Sequence, residues 1–155
     1  NYLGLGIYLS FYLTYLVLDF KEIILFPYID MNILLADDHL LTARLLKNYL
    51  SKKKYNILGI VSNGAEALKF IRHKEVDLVI LDISMPVLDG IQTLRYLNNE
   101  QNNTKVVMLS EHSERWIIKK SFDLGAIGFI KKSSGLSEVD RILTNIKNDF
   151  EFCSN

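Results

Sequence analysis

The chain of 155 residues has almost no cysteine. Cys153 stands alone, so an internal disulfide and a cysteine-based zinc site are both excluded, and a reducing cytoplasm is the compartment that suits it. Net charge is also absent: 18 acidic residues balance 18 basic ones, leaving no polyanion-binding surface. The one dense basic run, Lys52-Lys53-Lys54, falls where a helix should end, and lysines suit the negative end of a helix dipole. His39, His73 and His112 are too scattered to form a metal-ligand group. No internal repeat and no low-complexity linker interrupts the chain. Its length is that of one domain with a real core.

The first 30 residues differ from the rest. Residues 1–18 carry no charge and are mostly Leu, Tyr, Ile, Phe and Gly, a length at the lower limit for a membrane-spanning helix. A basic n-region and a small-residue cleavage site are missing, which argues against a signal peptide. Met31 stands directly before the first domain strand. Residues 1–30 therefore read as an apolar extension outside the domain, of the kind upstream translation produces. A membrane anchor and an ordered cap on the domain are the two other readings.

From Met31 onward, strand and helix signals alternate. Strands are expected at 32–36, 57–61, 76–81, 105–109 and 127–131. Helices are expected near 40–52, 65–73, 90–99, 114–123 and 137–148. Leu45, Leu46, Tyr49 and Leu50 share helical spacing, as do Ala65, Leu68 and Ile71, and Val139, Ile142, Leu143 and Ile146. Ser62-Asn63-Gly64 is a helix-start signal, and Pro86 and Gly90 punctuate the loop before the third helix. Trp116 is expected to anchor the fourth helix on the sheet. The run at 76–81 is nearly all apolar, as in a central strand covered on both faces. Strict alternation argues for an α/β doubly wound parallel sheet of five strands with five helices. This pattern leaves no face of the layers uncovered.

In such a sheet the carboxyl ends of the strands share one edge, where ligands bind. Asp37 and Asp38 end the first strand, Asp82 the third, Ser110 the fourth and Lys132 the fifth. Three carboxylates, a hydroxyl and an ammonium thus converge from distant positions. That set suits holding a divalent cation and placing a phosphoryl group on Asp82.

The segments Leu-Leu-Ala-Asp37-Asp38-His39, Leu81-Asp82-Ile-Ser84-Met-Pro86-Val-Leu-Asp89-Gly90, Met-Leu-Ser110-Glu111 and Gly125-Ala-Ile-Gly128-Phe129-Ile-Lys-Lys132 carry a resemblance over residues 31–149. In this order and spacing they resemble the receiver domain of two-component response regulators, in wording nearest the NarL/LuxR-type. The resemblance implies a flavodoxin-like fold with strand order 2-1-3-4-5 and a phosphoryl group accepted by Asp82 from a sensor histidine kinase or phosphotransfer protein. It implies Mg²⁺ held directly by Asp38, Asp82 and the backbone carbonyl of Ser84, with Asp37 acting mainly through water. Lys132, three residues after the aromatic, would pair with a phosphoryl oxygen, leaving Lys131 at a variable position. Ser110 would donate to another oxygen, and Phe129 would turn in behind it as the switch. Ser84 and His112 occupy the positions resembling those that tune phosphate lifetime.

Single residues have ordinary alternatives: Asp37 or Asp38 as a helix cap, Ser110 as a strand-end hydroxyl, Phe129 as a core aromatic. Two other enzyme or cofactor classes fit less well. A haloacid-dehalogenase-type phosphatase needs an acid two residues after its nucleophile, where this chain has Ser84. A flavodoxin-like cofactor site needs a phosphate loop where Asp37-Asp38 would repel phosphate. Residues 150–155 resemble the start of a linker to a helix-turn-helix. The expectation is that this chain does not bind DNA specifically by itself and that the intact product regulates transcription through a further domain. The alternative is a stand-alone or phosphorylation-independent receiver acting through protein contacts on the face of helix 113–123 and strand 127–131. The face built from the fourth helix, fifth strand and fifth helix is also a candidate homodimer surface. A chain beginning at Met31 is expected to fold and accept phosphate like the full one.

Overall fold

The computed structural model describes residues 31–153, with side chains through Asn148. The expectations for residues 1–30, and those for the side chains of the 150–155 tail, lie outside the described residues. Five strands, β1 (Asn32–Ala36), β2 (Asn56–Val61), β3 (Leu78–Asp82), β4 (Lys105–Ser110) and β5 (Gly128–Lys131), alternate with five helices. These are α1 (Leu40–Lys52), α2 (Gly64–His73), α3 (Gly90–Asn99), α4 (Arg115–Asp123) and α5 (Leu136–Cys153), with a 3₁₀ turn at Lys132–Ser134 before the last. The sheet is wholly parallel in the order β2-β1-β3-β4-β5. This is the doubly wound sheet that the alternation implies, in the flavodoxin-like order that the family resemblance implies. Among the described residues no helix is long and apolar enough to cross a membrane.

Period-2 alternation along each strand sends neighbouring side chains to opposite faces. Leu34, Val79, Leu81 and Met108 join Ala67, Leu68, Ile71, Leu94 and Leu97 of α2 and α3 in one core layer. Ile33, Leu35, Ile80 and Leu109 join Leu46, Leu50, Val139, Leu143 and Ile146 of α1 and α5 in the other. Helix α2 begins as its sequence suggests: Asn63 is the N-cap and accepts the Glu66 N–H. Helix α3 opens with a full capping box, Asp89 with Gln92. The lysine run does close α1, where Lys53 pairs with Asp140 of α5 at 3.0 Å.

Three packing expectations fail. Leu45 is 57% exposed, because α1 meets the sheet along Ala43, Leu46 and Leu50, and Leu45 sits about 100° around the helix from Leu46. Ala65 is exposed while Ala67 is buried, the buried stripe of α2 being Gly64, Ala67, Leu68 and Ile71. Trp116 does not anchor α4; it is 65% exposed. The buried residue of that short helix is Ser121, whose hydroxyl donates to the Ile117 carbonyl at 2.9 Å. Five residues separate the two, roughly 140° of rotation. The layers are also not fully covered. An apolar groove of about 320 Å³ runs between α1 and the start of α5, lined by Leu45, Leu46, Leu109, Ile130, Leu136 and Val139.

Candidate phosphoacceptor site

The strand order reverses between β1 and β3, because the chain builds outward to β2 on one side and to β4 and β5 on the other. The carboxyl ends of β1 and β3 therefore flank the crevice where ligands bind in this architecture. Ala36 pairs with Leu81 across that junction, so the next residues, Asp37 and Asp82, lie side by side. Both are buried, at 4% and 2% exposure. The backbone is held on both sides: Asp37 N–H donates to the Val61 carbonyl, and the N–H of Ile83, the residue after Asp82, to the Leu109 carbonyl, each at 3.0 Å.

One cation stands between them. Lys132 Nζ lies 2.9 Å from Asp82 Oδ2 and 3.1 Å from Asp37 Oδ2, its side chain only 11% exposed. Ser110 pairs with Lys131 in the β4–β5 register, and the chain then turns to present Lys132 inward while Lys131 is exposed. The contact with Asp82 is a hydrogen bond. The contact with Asp37 is an ion pair by distance without hydrogen-bond geometry, so Asp37 Oδ2 is a buried oxygen with no hydrogen bond. Asp37 Oδ1 accepts the His39 N–H at 2.8 Å. Neither Asp37 nor Asp38 caps α1; the N-cap is His39.

Burial pushes the Asp82 carboxyl above its ordinary value, and the neighbouring Asp37 charge adds to this. The hydrogen bond and charge of Lys132 and the Ser84 N–H, 3.3 Å from Asp82 Oδ1, oppose it without cancelling it. Burial works to lower the Lys132 ammonium, but its two carboxylates outweigh burial and hold it above the ordinary lysine value. The two upward shifts are compatible, because one lysine divides its stabilisation between two acids.

Asp38 is exposed at the mouth, and one carboxylate oxygen from each of Asp37, Asp38 and Asp82 lies within 4.8 Å of the others. An all-oxygen set of this kind fits a hard divalent cation. A buried Asp37 oxygen that meets Lys132 without hydrogen-bond geometry is what such an ion, through a water that it holds, would satisfy. Ser110 is 1% exposed, and its Oγ accepts the His112 N–H at 3.0 Å. Phe129 pairs with Met108 on β4 and is half-buried against the α2/α3 core layer. Ser84 is exposed on the loop after β3, and the His112 ring lies outside, 3.4 Å from Glu114. His39 and His73 are surface residues as well.

A close approach supports the end of β3, where Asp82 stands. A Cβ on Gly90 would lie 2.2 Å from the Asp82 carbonyl oxygen, and Gly90 N–H donates to the Ile83 carbonyl at 2.9 Å. The start of α3 is thus pressed against the end of β3. Gly64, Leu88 and Thr93 brace the same loop, and no role for them in the site is legible in the sequence. Gly64 was legible only as part of a helix-start signal.

A response regulator receiver domain model matches residues 33–144. The chain is 29% identical over 120 residues to the DNA-binding transcriptional activator EvgA of Escherichia coli, covering 77% of this chain and 59% of that protein. Among solved structures, it resembles the receiver domain of a response regulator NarL from Mycobacterium tuberculosis, with a TM-score of 0.71 and 29% identity over 76% of this chain and 95% of that one. It also resembles the CheX–CheY–BeF3–Mg complex from Borrelia burgdorferi, with a TM-score of 0.70 and 30% identity over 75% and 88%. The chain spans about half the length of the curated relatives it matches. With the fold, the strand-end acids and the family match in agreement, the chain belongs to the response regulator receiver domains, the signal-transduction modules of two-component systems.

Proposed function

We propose that this domain accepts a phosphoryl group on Asp82 from a phosphohistidine of a sensor kinase or phosphotransfer protein, and that the modified site switches the domain to control an output. The observation that carries this reading is the convergence of Asp37, Asp38 and Asp82 around Lys132, with one buried Asp37 oxygen lacking a hydrogen bond. A carboxylate oxygen of Asp82 attacks phosphorus, the P–N bond to the donor histidine breaks, and its electron pair returns to the imidazole.

Asp38, Asp82 and the Ser84 backbone carbonyl would hold Mg²⁺ directly, with Asp37 acting mainly through water. When bound, the ion neutralises charge on the transferring group. Lys132 moves part of its pairing from the carboxylates to a phosphoryl oxygen. The Ser110 hydroxyl keeps its own proton to donate, since it currently accepts from His112. Phe129 follows it inward, so a local charge event biases a packing switch.

Similarity to a DNA-binding transcriptional activator supports an output in transcription; on this reading the regulator is cytoplasmic and reaches DNA through a further helix-turn-helix domain. The exposed Trp116, Phe122 and Ile127 favour protein contacts on the α4/β5 face, for a homodimer with α5 or for a stand-alone receiver. The test is labelling by acetyl phosphate with Mg²⁺, read by intact mass and peptide mapping. One acid-stable, base-labile phosphoryl group on Asp82 is expected, and undiminished labelling of Asp82→Asn overturns the assignment.

A further inference from the structure

The loop of residues 83–89, between the nucleophile and α3, is braced from outside by the first residue of α2. Gly64 N–H donates to the Leu88 carbonyl at 2.9 Å. A Cβ at Gly64 would lie 2.7 Å from that carbonyl oxygen and 1.8 Å from Thr93 Oγ1, so a side chain at this position cannot fit without moving the loop. Thr93 is fully buried, and its hydroxyl donates to the Asp89 carbonyl at 2.7 Å. Two consecutive carbonyls of the loop are therefore fixed, one by α2 and one by α3.

The segment they hold is strained. Leu88 N–H donates to the Pro86 carbonyl at 2.7 Å, closing a γ-turn around Val87, whose φ is +67°. That is the rare left-handed form of the turn, and a β-branched residue there is an outlier. Val87 is 83% exposed, so its side chain gains little packing that could offset the backbone. Such strain persists only where surrounding contacts over-determine it. Here they are the Gly64 and Thr93 contacts at one end and Gly90 N–H on the Ile83 carbonyl at the other. The same loop sets Ser84, whose N–H reaches Asp82 Oδ1.

We infer that Gly64 is a positioning residue for the phosphoacceptor site: α2 clamps the 83–89 loop in a strained shape that keeps Ser84 beside Asp82. The inference rests on the reading of Asp82 as an Mg²⁺-dependent phosphoacceptor. A glycine that merely packs would have no linkage to the metal site, whereas a clamp is coupled to it in both directions.

Amide exchange of Gly64 relative to that of Asn32 at the far edge of the sheet, in the wild-type chain with and without Mg²⁺, reads this coupling, because global stabilisation by the ion slows both amides alike. Mg²⁺ should slow Gly64 about tenfold more than Asn32. Gly64→Ala should weaken Mg²⁺ binding, measured by titration calorimetry, by about tenfold. Adding Val87→Gly should restore affinity to within about threefold, because glycine holds a positive φ without a clamp. Gly64 exchange that Mg²⁺ slows no more than that of Asn32, unchanged affinity in Gly64→Ala, or no recovery with Val87→Gly overturns the inference. If Gly64→Ala does not fold, the wild-type exchange measurement decides alone. A wild-type chain that neither binds Mg²⁺ nor labels at Asp82 overturns the phosphoacceptor reading itself, and the inference with it.

Discussion

The two ends of the same sheet are built on opposite principles. At the amino-terminal edge, polar groups meet partners. Asn32 N–H donates to Asp77 Oδ2 at 2.8 Å, Asn56 Nδ2 to Asn32 Oδ1 at 2.7 Å, and the Thr104 hydroxyl to the Val76 carbonyl at 2.9 Å. At the carboxyl edge, two buried carboxylates share one lysine, a third stands at the mouth, and a buried oxygen lacks a hydrogen bond. The first edge ties strands together. The second crowds like charges where a fold optimised for stability alone would separate them, which is how sites with perturbed titration arise.

Removing the shared cation should break this contrast most severely. Lys132→Ala leaves Asp37 and Asp82 facing each other and should cost about 3 kcal/mol in urea unfolding without Mg²⁺. The loss should be larger at high pH than at low pH, because the raised Asp82 carboxyl takes up a proton as pH falls. Lys131→Ala, on the exposed neighbour, should stay within about 0.5 kcal/mol of wild type.

Asp82→Asn sharpens the contrast in the other direction. Because the folded-state value of Asp82 is raised, its stabilising contribution is complete below the ordinary carboxylate value and is lost as pH rises through the folded one. Relative to wild type, the asparagine variant should therefore gain stability as pH rises from the ordinary carboxylate value through the folded one, while losing all labelling. Parallel stability profiles for the two proteins would show that the charge at Asp82 costs nothing.

The smallest effect belongs to the other edge. Asp77→Ala removes one acceptor from the Asn32 N–H and should cost about 1 kcal/mol with unchanged labelling and Mg²⁺ affinity. A change in either site property would mean that the two edges are not independent.

Much of this architecture is legible from the chain alone, for physical reasons. Apolar runs ending in acids mark strands that stop at a polar edge, and parallel topology carries those ends together, so Asp37, Asp38, Asp82, Ser110 and Lys132 could be grouped before any coordinates. The helix faces were less legible. Leu45 and Leu46 both fit a helical stripe, and only the docking of α1 on the sheet decides that Leu46 is inside. Ala65 and Ala67 pose the same ambiguity on α2, and Trp116 shows that size alone does not place a residue in the core. The bracing of the 83–89 loop was hidden for another reason. It joins Gly64 to Leu88 and Thr93 through a backbone approach between separate helices, which no local pattern encodes.

We propose that a divalent cation completes the charge balance of the carboxyl edge, where three carboxylates face one lysine. Thermal unfolding of the wild-type chain and of Asp38→Asn, each titrated with Mg²⁺, tests it most directly. At a Mg²⁺ concentration about a hundred times its dissociation constant, the wild-type chain should gain about 2.7 kcal/mol, and Asp38→Asn should gain far less at the same concentration. Equal gains in both proteins, or none in either, would contradict the account.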